Sequence, residues 1–239
     1  MREHGALPPF SVRESTRAQR VILKIFPGKG LEVVVPAGFD RARIPSILHE
    51  KREWIDSVFR KIQHRVEPRS DASVLPRTVE LKAVNRRYSV AYTRSHGGKT
   101  ELIHLPDSRL ELVGNVTDPK TCRELLHLWL KHQGRGQLIP WLHRLSQQTG
   151  LTCDRVQVRE QKSRWGSCSS RGTISLNCRL LFLPPEWVRY VLIHELCHTV
   201  HLDHSPRFWD LVARLEPSYK ALDADVNRAH HHVPSWALG

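Results

Sequence analysis

Two histidines four residues apart, with a glutamate directly after the first, are the sharpest chemical feature of the sequence: His194-Glu195-Leu196-Cys197-His198. The segment lies in a predicted helix, where residues four apart share one face, so both imidazoles can bind one zinc ion. Glu195 can reach a zinc-bound water without being a ligand, which is the arrangement of a zinc hydrolase. The motif therefore predicts His194 and His198 as zinc ligands and Glu195 as the general base.

A third ligand is expected from the residues that follow. His204 lies just past the predicted helix end and before the Ser205-Pro206 cap, so it can turn back toward the metal and leave a fourth position for water. His201 competes for this role, but three ligands on one straight helix strain a tetrahedral site, and we favour His204. The alternative interpretation is three surface histidines at a polar helix end. Cys197 is expected to be a small buried apolar residue.

A second group of residues predicts a hairpin, with a strand at 173–180 joined to its partner by the turn at 169–172. The small residues of this hairpin allow another backbone segment to approach closely. An exposed strand beside the metal helix can pair with an extended peptide, and we expect a substrate along the edge at 173–177. An equally good interpretation is that the hairpin belongs to the core of the sheet, with Trp165 buried, and does not bind substrate.

Other candidates carry weaker signals. Three polar residues can line a cleft and polarise a carbonyl, although structural roles explain them equally well: Arg164, Asn177 and Arg207. Trp209 is expected in the core, and His230-His231-His232 in a solvated tail.

Four segments together resemble the YgjP-like metallopeptidase family, which is related to the SprT and WLM zinc-protease domains. They are VREQKSRWGSC (158–168), ISLN (174–177), HELCH (194–198) and HSPRFW (204–209). The resemblance covers about residues 10–230, with the motifs in the family's order and spacing. It implies a zincin-type α/β fold with His194, His198 and His204 as zinc ligands and Glu195 as general base. The resemblance does not supply the substrate, which we expect to be a peptide or protein.

The elements that must position these residues suggest an α+β protein of two parts. Residues 116–239 are predicted to form a zincin-like metallopeptidase domain in which the HExxH helix packs on a small sheet. A helix starts at Thr117-Asp118-Pro119, is interrupted by Gly134, Gly136 and Pro140, and resumes up to Gly150. Further helices are predicted from 185 to about 202, over 206–215, and weakly after Pro217.

Residues 1–115 are predicted to form a β-rich N-terminal part with one helix. Apolar runs at 20–26 and 31–36 predict a hairpin, and apolar spacing of three and four predicts a helix over 44–62, broken only by Lys51. Short strand-like runs follow near 78–83, 88–93, 101–105 and 109–113.

The composition narrows the class of protein. Lys and Arg number 37 against 24 Asp and Glu, a net charge of +13, which permits weak nucleic-acid association but does not specify it. Five cysteines favour reduced thiols over a disulfide framework, and Pro8-Pro9 interrupts any signal peptide. No apolar run approaches the roughly 18–20 residues that span a bilayer.

We therefore expect a cytoplasmic, zinc-dependent metallopeptidase that hydrolyses peptide bonds and does not contact a membrane. The alternative is a basic nucleic-acid-associated protein with a structural or inactive zinc site. The presence of Glu195 argues against that alternative, because a structural site has no use for a carboxylate beside an open metal position.

Overall fold

Residues 9–16, 18–26, 30–63, 75–95 and 97–238 are described by the computed structural model. The chain divides into two compact units, Met1–Arg69 and Ser70–Gly239. The hairpin turn expected at 27–29, and Pro8 of the N-terminal segment, lie outside the described residues.

The first unit combines a three-stranded sheet with two helices. Its elements are β1 (Phe10–Ser15), β2 (Ile22–Phe26), β3 (Gly30–Pro36), α1 (Ile44–Glu50) and α2 (Arg52–Gln63). The predicted hairpin is the antiparallel β2–β3 pair, whereas β1, which runs parallel to β3, is not predicted. Lys51 leaves helical geometry (φ −95°, ψ 9°), so the single helix predicted over 44–62 is two helices. Alternate residues of β3 are buried with the helices in one core: Leu31, Val33, Val35, Ile44, Leu48 and Ile55.

The second unit opens with a four-stranded sheet close to the predicted strands. It comprises β4 (Thr78–Leu81), β5 (Arg86–Arg94), β6 (Glu101–Leu105) and β7 (Arg109–Gly114), in the order β4-β5-β7-β6. Only the β5–β7 pair is parallel.

The predicted boundary at 115/116 falls inside the second unit. Buried residues of the four-stranded sheet, including Tyr88 and Leu112, belong to the same core as the helices that follow. A ring contact between Tyr88 and Trp129 (centroids 4.9 Å apart) lies in this shared core. Because these side chains lose their water-exposed surface against each other, the sheet and the helical part form one unit.

Helix α3 (Pro119–Thr149) is continuous, contrary to the predicted interruption at Gly134, Gly136 and Pro140. A Cβ at Gly134 would lie 2.9 Å from Val158 Cγ1, so this glycine permits close packing rather than a break. Pro140 is exposed, on the side where water can satisfy the carbonyl group that proline leaves without a donor. Burial of the opposite face sustains the helix.

A second three-stranded sheet follows α3, made of β8 (Arg155–Arg159), β9 (Gly166–Cys168) and β10 (Thr173–Asn177). Strand β10 lies in the centre, parallel to β8 and antiparallel to β9. Both edges of β10 are therefore paired, which corrects the expectation that residues 173–177 form an edge for substrate. The strand also ends at Asn177 rather than at 180, since a buried 3₁₀ turn, Cys178–Phe182, follows.

Three helices complete the unit: α4 (Pro185–Cys197), α5 (Pro206–Leu215) and α6 (Tyr219–Arg228). Helix α4 ends about five residues before the predicted end near 202. Its last turn tightens, with the Thr199 amide donating to Leu196 O and the Val200 amide to Cys197 O. Val200 is 54% exposed and Leu202 60%, so no apolar face continues the helix.

The predicted α+β class agrees with the mixture of three small sheets and six α-helices in the described residues. Among these helices, none combines the length and the apolar character needed to cross a bilayer. All five cysteines are free, and Cys197 is fully buried as expected.

Candidate metal centre

Three imidazoles converge where α4 ends. The Nε2 atom of His194 lies 3.2 Å from Nε2 of both His198 and His204, and the ligand atoms of all three lie within 4.8 Å of one another. Tetrahedral zinc with Zn–N bonds of about 2.0–2.1 Å separates neighbouring nitrogens by about 3.3–3.4 Å. The spacing of these nitrogens therefore fits a zinc ion.

Each of the three imidazole rings is held in position by a different local structure. His194 lies within α4, while His198 caps the helix and its Nδ1 lies 2.9 Å from the backbone oxygen of His201. That oxygen accepts the Nδ1 proton of a neutral imidazole and leaves the Nε2 lone pair free for a metal. His204 lies in the loop before α5, where the Ser205 amide donates to Asp203 Oδ1 at 3.3 Å.

An apolar side chain lies against all three rings. Phe208 of α5 is fully buried, with its ring centroid 4.4 Å from that of His198, 5.0 Å from His194 and 4.9 Å from His204. Burial lowers the pKa of His194 to about 3, and the pKa of His198 is also lowered. Both rings are thus neutral near pH 7, which is the form that binds a metal.

A tyrosine and an aspartate stand behind His194. The hydroxyl of Tyr190 donates to Asp223 Oδ1 at 2.8 Å and lies 3.4 Å from His194 Nδ1, while the Asn227 amide holds Asp223 Oδ2 at 2.9 Å. Burial and this carboxylate raise the pKa of Tyr190, so the hydroxyl stays protonated. Because the Tyr190 proton is directed to Asp223, the Tyr190 oxygen is left to accept from His194 Nδ1–H. These hydrogen bonds through Tyr190 and Asp223 orient the His194 ring so that its Nε2 atom points toward the other two imidazoles.

These orienting residues were not predicted, although part of the signal was local. Tyr190 precedes His194 by four residues and so shares its helical face. Asp223 comes from α6, and nothing near it in the sequence indicates its partner.

Glu195 lies beside the imidazoles in a tight pocket. The side chain is buried, and its Oε2 atom finds no hydrogen-bond partner among the described residues. A Cβ at Gly166 would lie 2.5 Å from Glu195 Oε1, so any side chain at this position of β9 would displace the carboxyl group from its place in the structure. Burial raises the pKa of Glu195 to about 8, and the Arg164 guanidinium opposes that shift. A cation bound beside Glu195 would lower this pKa again, because a nearby positive charge favours the ionised carboxylate. An unpartnered buried carboxyl group beside three converging nitrogens therefore suits a site that receives a cation and a water.

The residues border an open cavity of about 400 Å³. Its lining includes His194, Glu195 and His204, together with four other residues: Arg164, Trp165, Trp209 and Asp223. Trp209 is half-buried and stacks on His204 (centroids 5.5 Å apart), so it lines the cavity in addition to packing on the core, where alone it was expected. Trp165 is buried, and its Nε1 donates to Val226 O at 3.0 Å.

The remaining candidates have structural or surface positions. Asn177 is buried and its side-chain amide donates to Gln161 O and Arg164 O, both at 2.8 Å, so it fixes the segment before β9. Arg207 is exposed and does not line the cavity. The histidines at 230–232 are not a solvated tail, because they form a 3₁₀ turn in which His230 stacks on Trp165 (centroids 4.7 Å apart).

Comparison with known protein families identifies the family of this chain. The sequence model of the YgjP-like metallopeptidase domain matches residues 19–229, which is most of the chain. The chain belongs to the YgjP-like metallopeptidase family. The match includes the YgjP-like motifs quoted from the sequence and every residue of the metal centre described above.

Two solved structures are also similar over part of the chain. The metallopeptidase zymogen abylysin of Pyrococcus abyssi is 27% identical, with 40% of this chain and 96% of that chain covered and a TM-score of 0.37. The metallopeptidase zymogen jannalysin of Methanocaldococcus jannaschii is 14% identical, with 38% and 95% covered and a TM-score of 0.34. Comparison with curated proteins finds no significant match. The assignment to the YgjP-like family therefore rests on the family match.

Proposed function

We propose that this chain is a zinc-dependent peptidase of zincin-like fold, in which His194, His198 and His204 hold the metal and Glu195 is the general base. The observation that carries the proposal is the convergence of three imidazole nitrogens beside a buried, unpartnered carboxylate. Membership in a metallopeptidase family supplies the reaction class.

The chemistry follows from where these groups lie. A zinc ion bound here would act as a Lewis acid that polarises a carbonyl and makes water more acidic. Glu195 would accept a proton from the attacking water and deliver it to the leaving amine. Arg164 also lines the cavity and would add positive charge near a developing oxyanion.

The sheet formed by β8, β9 and β10 has one unpaired strand edge next to the metal cavity, where an extended substrate can pair. Strand β9 pairs with β10 along one side, and among the described residues no strand pairs with its other side. Gly166 of β9 lines the cavity, so we place the scissile segment along β9 rather than along β10. The five free thiols fit a cytoplasmic location. The alternative of a nucleic-acid-associated protein stays a prediction from the net charge alone.

The decisive test is Glu195→Gln. The substitution keeps the size of the side chain and removes the base, so the variant should fold and retain about one zinc per chain. Turnover should fall by about 10²–10⁴-fold, the usual contribution of a general base. New peptide termini in a proteome-derived peptide library, counted by mass spectrometry, measure the turnover, and metal analysis measures the zinc.

Glu186→Gln is the matched control, because Glu186 is an exposed glutamate at the start of the same helix. It should leave both turnover and zinc content unchanged. Equal cleavage by wild type and Glu195→Gln would rule out the proposed base.

A further inference from the structure

A basic groove lies between α3 and β8 and shares no lining residue with the metal cavity. Two adjoining cavities of about 570 and 760 Å³ form it, with Lys131 and Glu160 lining both. The larger cavity is bordered on one side by Lys131, Arg135 and Ile139 of α3 and on the other by all five residues of β8.

Strand β8 is an edge strand. It pairs with β10 over its whole length, from Arg155 to Arg159, and no strand in the described part of the chain pairs with its other side. The groove touches consecutive residues of β8 and so runs along this unpaired edge. Unpaired backbone donors and acceptors at such an edge can bind an added strand.

Positive side chains outnumber negative ones along the groove. Two acidic residues, Glu124 and Glu160, line it against six cationic ones: Lys131, Arg135, Arg155, Arg159, Lys162 and Arg179. Within the described residues, Lys131, Arg135 and Arg155 have no acidic partner. The Glu160 carboxylate is paired with Arg179 (2.9 Å). The groove therefore offers positive charge to an anionic occupant.

The lining favours a peptide over a nucleic acid. No Phe, Tyr or Trp side chain lines either cavity, whereas single-stranded nucleic acids are held largely by stacking on aromatic rings. Leu128, which is 60% exposed, and Ile139 offer apolar contacts between the charges. An unpaired strand edge, flanking cations and two apolar positions match an extended peptide that mixes acidic and apolar residues.

We propose that the groove between α3 and β8 binds an acidic, extended segment of a partner protein as an additional strand on β8. This site goes beyond the peptidase activity and does not need the metal. Five residues of β8 span about 16 Å, enough for about five residues of the bound segment.

The test measures the binding of a fluorescein-labelled octapeptide of alternating Glu and Val by fluorescence anisotropy. The full chain carries Glu195→Gln so that the probe stays intact, and His204→Ala in the same chain should leave binding unchanged. Replacing Glu by Lys in the peptide, or methylating alternate backbone nitrogens, should weaken binding at least tenfold, because these changes remove charge complementarity and strand pairing respectively. The pair Arg135→Glu/Arg155→Glu should weaken binding by about tenfold or more.

Arg86→Glu/Arg94→Glu is the matched control, since both arginines are exposed, lie in β5 outside the groove, and change the net charge equally. This control should alter the affinity for the peptide by less than about threefold, because salt screens most of the long-range electrostatic effect of distant charges. Absence of peptide binding at low salt would overturn the proposal. Equal losses in the two double variants, or undiminished binding of the methylated peptide, would also overturn it. A third outcome would overturn it as well: the chain binds a dT15 oligonucleotide but not the peptide, and this binding depends on Arg135 and Arg155. The groove would then be a nucleic-acid-binding surface.

Discussion

His201 and His204 lie three residues apart, yet they contact the other histidines of the candidate metal centre through different atoms. His204 directs its ring nitrogen at His194, whereas the backbone oxygen of His201 lies against His198 Nδ1. The contribution of His201 is therefore independent of its side chain.

Zinc content should separate these two histidines. His204→Ala removes one of three nitrogens and should reduce zinc far below one per chain, while His201→Ala should leave it near one. Metal analysis after dialysis against a weak chelator measures both variants. Loss of zinc in His201→Ala with retention in His204→Ala would reverse the choice of ligand.

Tyr190 provides a prediction about orientation rather than ligation. Tyr190→Phe removes the hydroxyl between Asp223 and His194 and should weaken zinc binding about 10–100-fold, the usual effect of losing such a support. Competition with a chromogenic chelator measures the affinity. Tyr92→Phe is the control, because it removes a hydroxyl hydrogen bond to Pro76 O (2.8 Å) in the four-stranded sheet and should not change the affinity. Unchanged affinity in Tyr190→Phe would show that His194 needs no support from the hydroxyl.

At the scale of elements, α3 shows how packing decides what a glycine does. Gly134 and Gly136 lie in the same helix, but an added Cβ would meet Val158 Cγ1 at 2.9 Å and Cys178 Cβ at 3.2 Å in the first case, and nothing within 4 Å in the second. The two positions therefore separate helix propensity from steric fit.

Alanine at these positions should have opposite effects on the free energy of unfolding. Gly136→Ala should stabilise by about 0.5–1 kcal/mol, because alanine favours the helix. Gly134→Ala should destabilise by about 1–3 kcal/mol, since overpacking outweighs the same propensity gain. Urea titration followed by circular dichroism measures both. Stabilisation by Gly134→Ala would mean that α3 can move away from β8 without loss.

At the scale of the whole molecule, the second unit has one continuous core of buried apolar side chains. It joins the four-stranded sheet, the smaller sheet and the helices through buried apolar side chains such as Leu126, Leu181 and Ile193. The metal centre lies at the margin of this core, with His204 exposed. We therefore expect folding to be independent of zinc and zinc to add stability by mass action.

Thermal unfolding tests this expectation. Zinc at a hundredfold excess over its Kd should add about 2.7 kcal/mol and raise the Tm by about 5–10 °C, and chelation should return the Tm to that of a folded apoprotein. His204→Ala should show little zinc-dependent shift. Cooperative loss of structure on chelation at 25 °C would instead make the metal part of the fold.

Local patterns in the sequence were sufficient for much of this protein. Residues that lie within one or two helical turns of each other, such as His194, Glu195 and His198, are related by helix geometry, so their spacing predicted that they lie close together. Most strands and helix starts follow from apolar alternation and from proline and capping residues in the same way.

Tertiary structure decided what depends on neighbours distant in the sequence. The continuity of α3 depends on the close approach of β8 to Gly134, and the central place of β10 depends on pairing with β8 across the intervening segment. Likewise Asp223 of α6 reaches Tyr190 of α4, and Gly166 of strand β9 contacts Glu195 of the same helix α4. A linear pattern records which faces are apolar but not which partner covers them, because long-range contacts are chosen by the fit of the whole core.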